Sequence, residues 1–222
     1  MNRTKDLIIV GTGLFAEVAY AYFKEYSQYE VKAFACHAQY RDSETKFGLD
    51  LISIEEMTEL FSPQTYEVFV AIGYGNMNKM RARVYHEMKE YGYSCVNFIH
   101  PQVKIWENTS LGDNVFIFEN NTIQPFTKIG NNTIMWSGNH LGHHSVVGNH
   151  CFISSHVVIS GSCKIGNNVF IGVNATLRDS ISIANESLIG AAAIVMNDTQ
   201  EKEVLIAPKT KPFPKNSEEL GF

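Results

Sequence analysis

The chain has 222 residues, 45% of them hydrophobic, enough for one large domain or two small ones with real cores. A formal net charge of -5 and a sequence pI near 5.9 leave no electrostatic footprint for nucleic acid, and no apolar run approaches membrane-spanning length. The opening MNRTKD runs straight into a strand-like LIIV without a signal-peptide pattern, and four cysteines lacking a CxxC pair (Cys36, Cys95, Cys151, Cys163) suit free thiols in a reducing cytoplasm.

From residue 7 to residue 98, short apolar runs alternate with helical stretches. LIIV (7–10) predicts a buried strand, and GTGLFAEVAYAYFKEY a helix with Val18, Tyr22 and Tyr26 on its apolar side. VKAFA (31–35) is a second strand, and SIEEMTELF (53–61) opens a helix with Ser53 and Glu56 as a capping-box pair. EVFVAI (67–72) is a third strand, followed by a helix over 76–91 and the strand YSCVNFI. This alternation predicts a small parallel, Rossmann-like α/β sheet over residues 1–100. Gly11, Gly13, Leu14 and Phe15 join the first strand to its helix, so the amides at the helix start can receive phosphate. The second strand ends in Cys36 and His37, where an NAD-binding unit has an acidic residue for the ribose, and this argues against a dehydrogenase. Gly73, Tyr74, Gly75 and Asn76 follow the third strand, at the carboxyl edge where ligands of open α/β sheets gather.

Beyond His100 and Pro101 the period changes. Every sixth residue from Ile105 to Val195 is aliphatic or Met, glycine often follows it, and a small residue commonly stands four places later. A hexapeptide period is the signature of a parallel β-helix in which three hexads make a coil and positions eighteen apart stack. The β-helix is expected over 101–205, with a tail over 206–222.

Together, IIVGTGLFAEVAY, VAIGYGNMNKMR, GHHSVVGNHCFISSHVVISG, IGVNATLRD and LIGAAAIVMND give nearly the whole chain a resemblance to the bacterial nucleotide-sugar acetyltransferases of the hexapeptide-repeat, left-handed β-helix family, the sialic acid O-acetyltransferase and bacillosamine-pathway N-acetyltransferase among them. The resemblance implies a cytoplasmic homotrimer in surface-glycan or lipopolysaccharide biosynthesis, with acetyl-CoA as co-substrate between neighbouring β-helices. It implies a nucleotide-linked amino sugar held by the N-terminal domain, a 4-amino-4,6-dideoxyhexose being favoured, and no membrane partner. Relatives often hold the nucleotide base with paired aspartates where this chain has Cys36 and His37.

Five of the eight histidines fall within residues 138–156. His144, His150 and His156 recur every sixth residue, so within one β-helix they diverge and cannot converge on one ion. No metal is expected, although histidines meeting between subunits, as in γ-type carbonic anhydrases, stay open as an alternative. His143, in HHSVVG, matches the family's general base, a task suited to imidazole near neutral pH; a solvated turn histidine is the plain alternative. Where relatives often follow that base with Glu, this chain has His144. Gly161 lies one coil beyond His143, where its amide can meet an oxyanion. Phe152 stands where some relatives have a CoA-contacting histidine, Val173 and Ala191 match positions lining the CoA groove, and Lys209 and Lys211 are candidates for its phosphates, a solvated tail being the plain alternative. O-acetylation, or an inactive nucleotide-sugar binding module, remain the other options.

Overall fold

The computed structural model describes residues 5–221. Strand β1 (Lys5–Val10), whose last four residues are all buried, lies at the heart of a five-stranded sheet. It pairs in parallel with β2 (Tyr29–Cys36) on one side; β4 (Leu49–Ser53) lies beyond β2, and the short β3 (Thr45–Lys46) runs antiparallel at that edge. On its other side β1 pairs with β5 (Tyr66–Val70). Helices α1 (Leu14–Tyr26), α2 (Met57–Leu60) and α3 (Lys79–Glu90) connect these strands.

Several local details differ from the sequence-based expectations. The residues of α1 that become buried are Phe15, Ala16, Ala19 and Phe23, whereas Val18 and Tyr22 are half-buried and Tyr26 is exposed. Tyr22 lies at the margin because its hydroxyl donates to Glu119 at 2.8 Å across the domain boundary. Ser53 does not cap a backbone amide; its hydroxyl donates to the Glu56 carboxylate at 2.9 Å, and the chain makes a 3-10 turn, Ile54–Glu56, before α2. Helix α3 starts at Lys79, later than residue 76, because Asn76, Met77 and Asn78 all have positive φ. YSCVNFI is not a full strand of this sheet. Cys95 makes one bridge to Val68, and Phe98–Ile99 pairs with residues 116–117 of the β-helix. Asn97 draws it there, donating to the Gly112 carbonyl at 2.7 Å and accepting from the Val115 amide at 2.8 Å.

The second half is the left-handed parallel β-helix that the hexad period predicts. Two-residue strands stack into three faces, each strand pairing with those eighteen residues away, as His140 does with Thr122 and Val158. The sixth-residue aliphatics fill the interior, with Ile117, Met135, Ile153, Ile171 and Ile189 forming one of its stacks. The small residues four places later are buried beside them, from Val115 to Ala193. Each corner between faces has a residue at φ near +60°, among them Asn114, Asn132, His144, His150, His156, Asn168 and Asn174. Asparagine and histidine are the side chains best represented in that left-handed region, which explains the six-residue recurrence of three of the histidines.

One face, here the docked face, carries the N-terminal domain. Its outward column of Phe98, Phe116, Ile134, Phe152 and Phe170 packs into one apolar cluster with Phe15, Phe23 and Phe69. Polar links also pin the seam. The Val70 backbone exchanges bonds with the Asn114 side chain, amide to Oδ1 at 2.7 Å and Nδ2 to carbonyl at 3.2 Å. Arg81 of α3, fully buried, donates to the carbonyls of Gly73 (2.9 Å), Asn132 (3.2 Å), His150 (3.1 Å) and Cys151 (3.0 Å), and to Asn78 Oδ1 (3.2 Å). Burial pushes its pKa down to about 9, which still leaves the guanidinium charged at pH 7.

His150 closes this corner. The Asn132 amide, which accepts from Asn114 through its oxygen, donates to His150 Nδ1 at 2.9 Å, so the imidazole is neutral with its proton on Nε2. Burial first, then the proximity of His86 and of Arg81, lowers the His150 pKa to about 4. The unfolded chain binds a proton near pH 6.5 and the folded one only near pH 4, so stability present above pH 6.5 is lost as the pH falls between them. With solvent screening allowed for, the loss is about 1–2 kcal/mol. Urea unfolding at pH 7 and pH 4.5 should therefore show a smaller acid loss in His150→Asn, which keeps a side chain suited to the corner; equal losses in the two proteins would contradict this assignment.

Candidate functional site

The sequence-predicted residues fall into three places. The first is a cavity of ≈ 610 Å³ at the carboxyl edge of the N-terminal sheet, bounded below by the aromatic side chains of the docked face. Gly11, Gly13, Leu14, Phe15, Cys36, His37, Gly73, Tyr74 and Gly75 all line it. Asn76 does not; it lies in the positive-φ turn that precedes α3.

Local geometry explains the two glycines of GTGLF. Gly11 has φ +133°, and a Cβ there would stand 2.5 Å from the Ala71 carbonyl oxygen, so this crossing of β1 and β5 admits no side chain. Gly13 is the N-cap of α1 and has nothing within 4 Å of its Cβ position, leaving the helix start open for an anion. Leu14 is exposed at the rim, while Phe15 packs edge-on against Phe69 and Phe116 and so doubles as core. His37 shares a hydrogen bond through one ring nitrogen only. Nδ1 is 3.1 Å from Glu55, and Nε2 is 3.1 Å from Glu87, off the line a hydrogen bond needs. It thus ties the end of β2 to α3 as well as lining the cavity. Burial pushes the Cys36 thiol pKa up, so this cysteine is a neutral wall residue.

Sequence reasoning missed Tyr40, Ile54, Met80, Arg83 and Trp136 in this lining. Arg83 is exposed and has no ion-pair partner among the described residues, in a cavity whose other walls are mostly apolar. A cation one turn along from a helix start, unpaired, is the one signal that could have marked it. Phe152 belongs here too. It is buried, with Tyr74 edge-on at 4.9 Å and Phe170 stacked at 5.7 Å, and this places it in the wall of the cavity below the GYGN loop.

The second place is the corner between the two faces that the N-terminal domain leaves uncovered. His143, His144 and Gly161 meet there. A Cβ on Gly161 would stand 2.7 Å from His143 Cε1 and 2.8 Å from Nε2, so the imidazole lies directly over the bare glycine backbone. The Gly161 amide has no hydrogen-bond acceptor among the described residues. The His143 amide donates to Gln124 Oε1 at 2.8 Å, and its Nδ1 lies 3.1 Å from Nδ1 of His144. His144 in turn stacks on Phe126, with ring centroids 4.8 Å apart.

The third place is the corner that follows the docked face. Val173 and Ala191 are stacked there, as their spacing predicts, with the Ala192 amide donating to the Val173 carbonyl at 2.8 Å, and both are exposed. Lys209 and Lys211 lie exposed in a tail without helix or strand. His150 stands in the domain seam, and His156 lies earlier along this same third corner, with its ring over the Cα of Gly138. Among the described residues no three His, Cys, Asp or Glu side chains converge as ligands of one ion.

Comparison with known proteins agrees with this architecture. The PglD N-terminal domain matches residues 6–88, and the bacterial transferase hexapeptide (six repeats) matches residues 126–161. No curated protein matches the chain significantly in sequence. Among solved structures, PerB from Caulobacter crescentus in complex with CoA and GDP-perosamine is similar at a TM-score of 0.80 and 23% identity, over 91% of this chain and 94% of that one. The acetyltransferase domain of PglB from Neisseria gonorrhoeae follows at 0.77 and 18%, over 95% and 100%. WeeI from Acinetobacter baumannii is similar at 0.65 and 14%, over 86% and 94%. At these identities the likeness is one of fold. The chain thus matches the PglD N-terminal domain in its first half and bacterial transferase hexapeptide repeats in its second.

Proposed function

We propose that the protein transfers an acetyl group from acetyl-CoA to the amine of a nucleotide-linked sugar, a 4-amino-4,6-dideoxyhexose destined for a surface glycan such as lipopolysaccharide. The observation that carries this is the imidazole of His143 lying over the unsubstituted backbone of Gly161, beside an amide that has no acceptor among the described residues. A base and an oxyanion donor side by side are what acyl transfer to an amine requires. The solved relative with CoA and GDP-perosamine bound supports the pair of substrates.

In the mechanism, the acceptor nitrogen attacks the thioester carbonyl while His143 Nε2 takes the proton it sheds. The Gly161 amide donates to the carbonyl oxygen as it becomes an oxyanion. Collapse of the tetrahedral intermediate breaks the carbon–sulfur bond, and the departing thiolate recovers a proton from His143. The N-terminal cavity receives the nucleotide, with the diphosphate between the α1 N-terminus and the unpaired guanidinium of Arg83.

Topology supports one way of assembling the parts. The cavity opens on the docked face, whereas His143 stands on the corner between the other two faces and Val173 with Ala191 on a third position. One chain cannot bring them together. A homotrimer closed by a three-fold axis sets the base of one subunit against the cavity and groove of its neighbour, with Lys209 and Lys211 near the CoA phosphates. Both substrates belong to the cytoplasm, and among the described residues no helix is long and apolar enough to cross a membrane.

Thiol release from acetyl-CoA, screened against UDP-, dTDP- and GDP-linked amino sugars, tests the activity directly. His143→Ala should lower kcat by about 10²–10⁴-fold on the sugar that responds, with acetyl-CoA affinity little changed. Sedimentation should give a species three times the 25.0 kDa chain; a monomer at micromolar concentration would remove the shared site. The glycines separate fold from ligand. Gly11→Ala should destabilise the domain by about 1–3 kcal/mol through strain and clash. Gly13→Trp should unfold at the wild-type temperature yet lose nucleotide-sugar binding in calorimetry, while binding acetyl-CoA as before.

A further inference from the structure

The paired histidines at the second corner have a geometry that a lone general base would not need. The Nδ1 atoms of His143 and His144 are 3.1 Å apart, their rings nearly perpendicular at 83°. Two such atoms share a hydrogen bond only when one carries a proton and the other a lone pair, so the tautomers of the two rings are coupled. Each ring rests on a neighbour. His143 is held by Gln124 at its backbone and lies over Gly161, and His144 stacks on Phe126, both of these corner residues having φ near +60°.

Resting on the acetyl-transfer function above, we infer that His144 is a positioning residue that locks the tautomer of His143. His143 Nδ1–H donates to the Nδ1 lone pair of a neutral His144, whose own proton sits on Nε2 at the exposed side. This leaves the lone pair of His143 on Nε2, the nitrogen that lies over Gly161. A free neutral imidazole favours the opposite arrangement, with Nε2 protonated and useless as a base. The lock is built without a carboxylate: the acceptor is a neutral ring, and no second charge has to be placed at the corner. A proton taken up by Nε2 leaves the Nδ1 bond intact, because the imidazolium is still a donor there. Nothing in the bond chemistry of the transfer changes; His144 acts only on which nitrogen of His143 is ready.

Two substitutions separate positioning from packing. His144→Phe keeps the stack on Phe126 and removes the acceptor, while His144→Asn places an amide oxygen near the lost Nδ1 in a residue that tolerates the corner's positive φ. In the intact protein, long-range nitrogen-15 correlation spectra should show His143 as the Nδ1–H tautomer in the wild type and in His144→Asn, and mainly as Nε2–H in His144→Phe. With both substrates saturating, kcat should fall about 10–10²-fold in His144→Phe and recover to within about threefold of wild type in His144→Asn, KM for either substrate moving less than about twofold. An Nδ1–H signal for His143 that persists in His144→Phe would overturn the lock, as would equal kcat losses in the two variants. Because the spectra need no turnover, a wild-type protein with the Nδ1–H tautomer and no transferase activity would count against the acetyl-transfer function and leave the lock supported.

Discussion

A single buried cation, the guanidinium of Arg81, holds the two halves of the molecule in one geometry. Among the described residues it has no carboxylate partner; backbone carbonyls from both domains and the Asn78 side chain surround it. Such a charge is tolerable in a protein interior only when its donors are satisfied, so each carbonyl has to stay where it is. The loop carrying Gly73 is therefore fixed against the corner carrying His150, and the cavity that this loop borders takes its shape from the same bonds. Apolar packing of Phe15, Phe23 and Phe69 on the docked face supplies attraction without direction; Arg81 and Asn114 supply the register.

The β-helix turns a linear spacing into proximity. His143 and Gly161 are eighteen residues apart and end in van der Waals contact because one coil separates them. The same rule stacks Val173 beside Ala191 and sends His150 into the seam. Side chains near one another in the sequence thus have unrelated surroundings, while those one coil apart share them. Catalytic roles at a corner can be altered without disturbing the aliphatic interior, since corner side chains point away from it.

Much of this was legible in the sequence, for physical reasons that differ by element. The hexad pattern is read easily because every inward position of a narrow prism demands an aliphatic residue, and no other regular structure has that period. GTGLF and the Gly73–Gly75 stretch lie at the carboxyl edge of the sheet, where the order of strand and loop in the sequence puts them, whereas Asn76 turns out of the cavity. The strands within 45–53 have no clear sequence signal: TK and LDLIS are short, and only Leu51, Ile52 and Ser53 of their seven residues are buried. The N-terminus of α3 was misjudged because three consecutive positive-φ residues override local helix propensity. Arg81 left a trace that was overlooked, a cation at the head of the apolar series Arg81, Val84, Tyr85 and Met88. The tertiary use of Phe152 left none; an aromatic residue facing outward from a β-helix looks the same whether solvent, a cofactor or another domain covers it.

The quantised geometry of the coil also bears on how such a chain can change its length. An insertion of one residue in a hexad would turn every later aliphatic side chain outward, so growth and shrinkage must occur in units of a whole coil or as loops that leave at a corner. The N-terminal domain narrows the choice further. Among the described residues its hydrogen bonds to the β-helix reach as far along the chain as Val169, and beyond that the ion pair of exposed Lys79 with half-buried Glu186 at 2.6 Å is a link between side chains. Evolution can therefore add or delete coils most freely toward the carboxyl end, lengthening the prism there while the earlier coils, and the docking of the first domain on them, stay as they are.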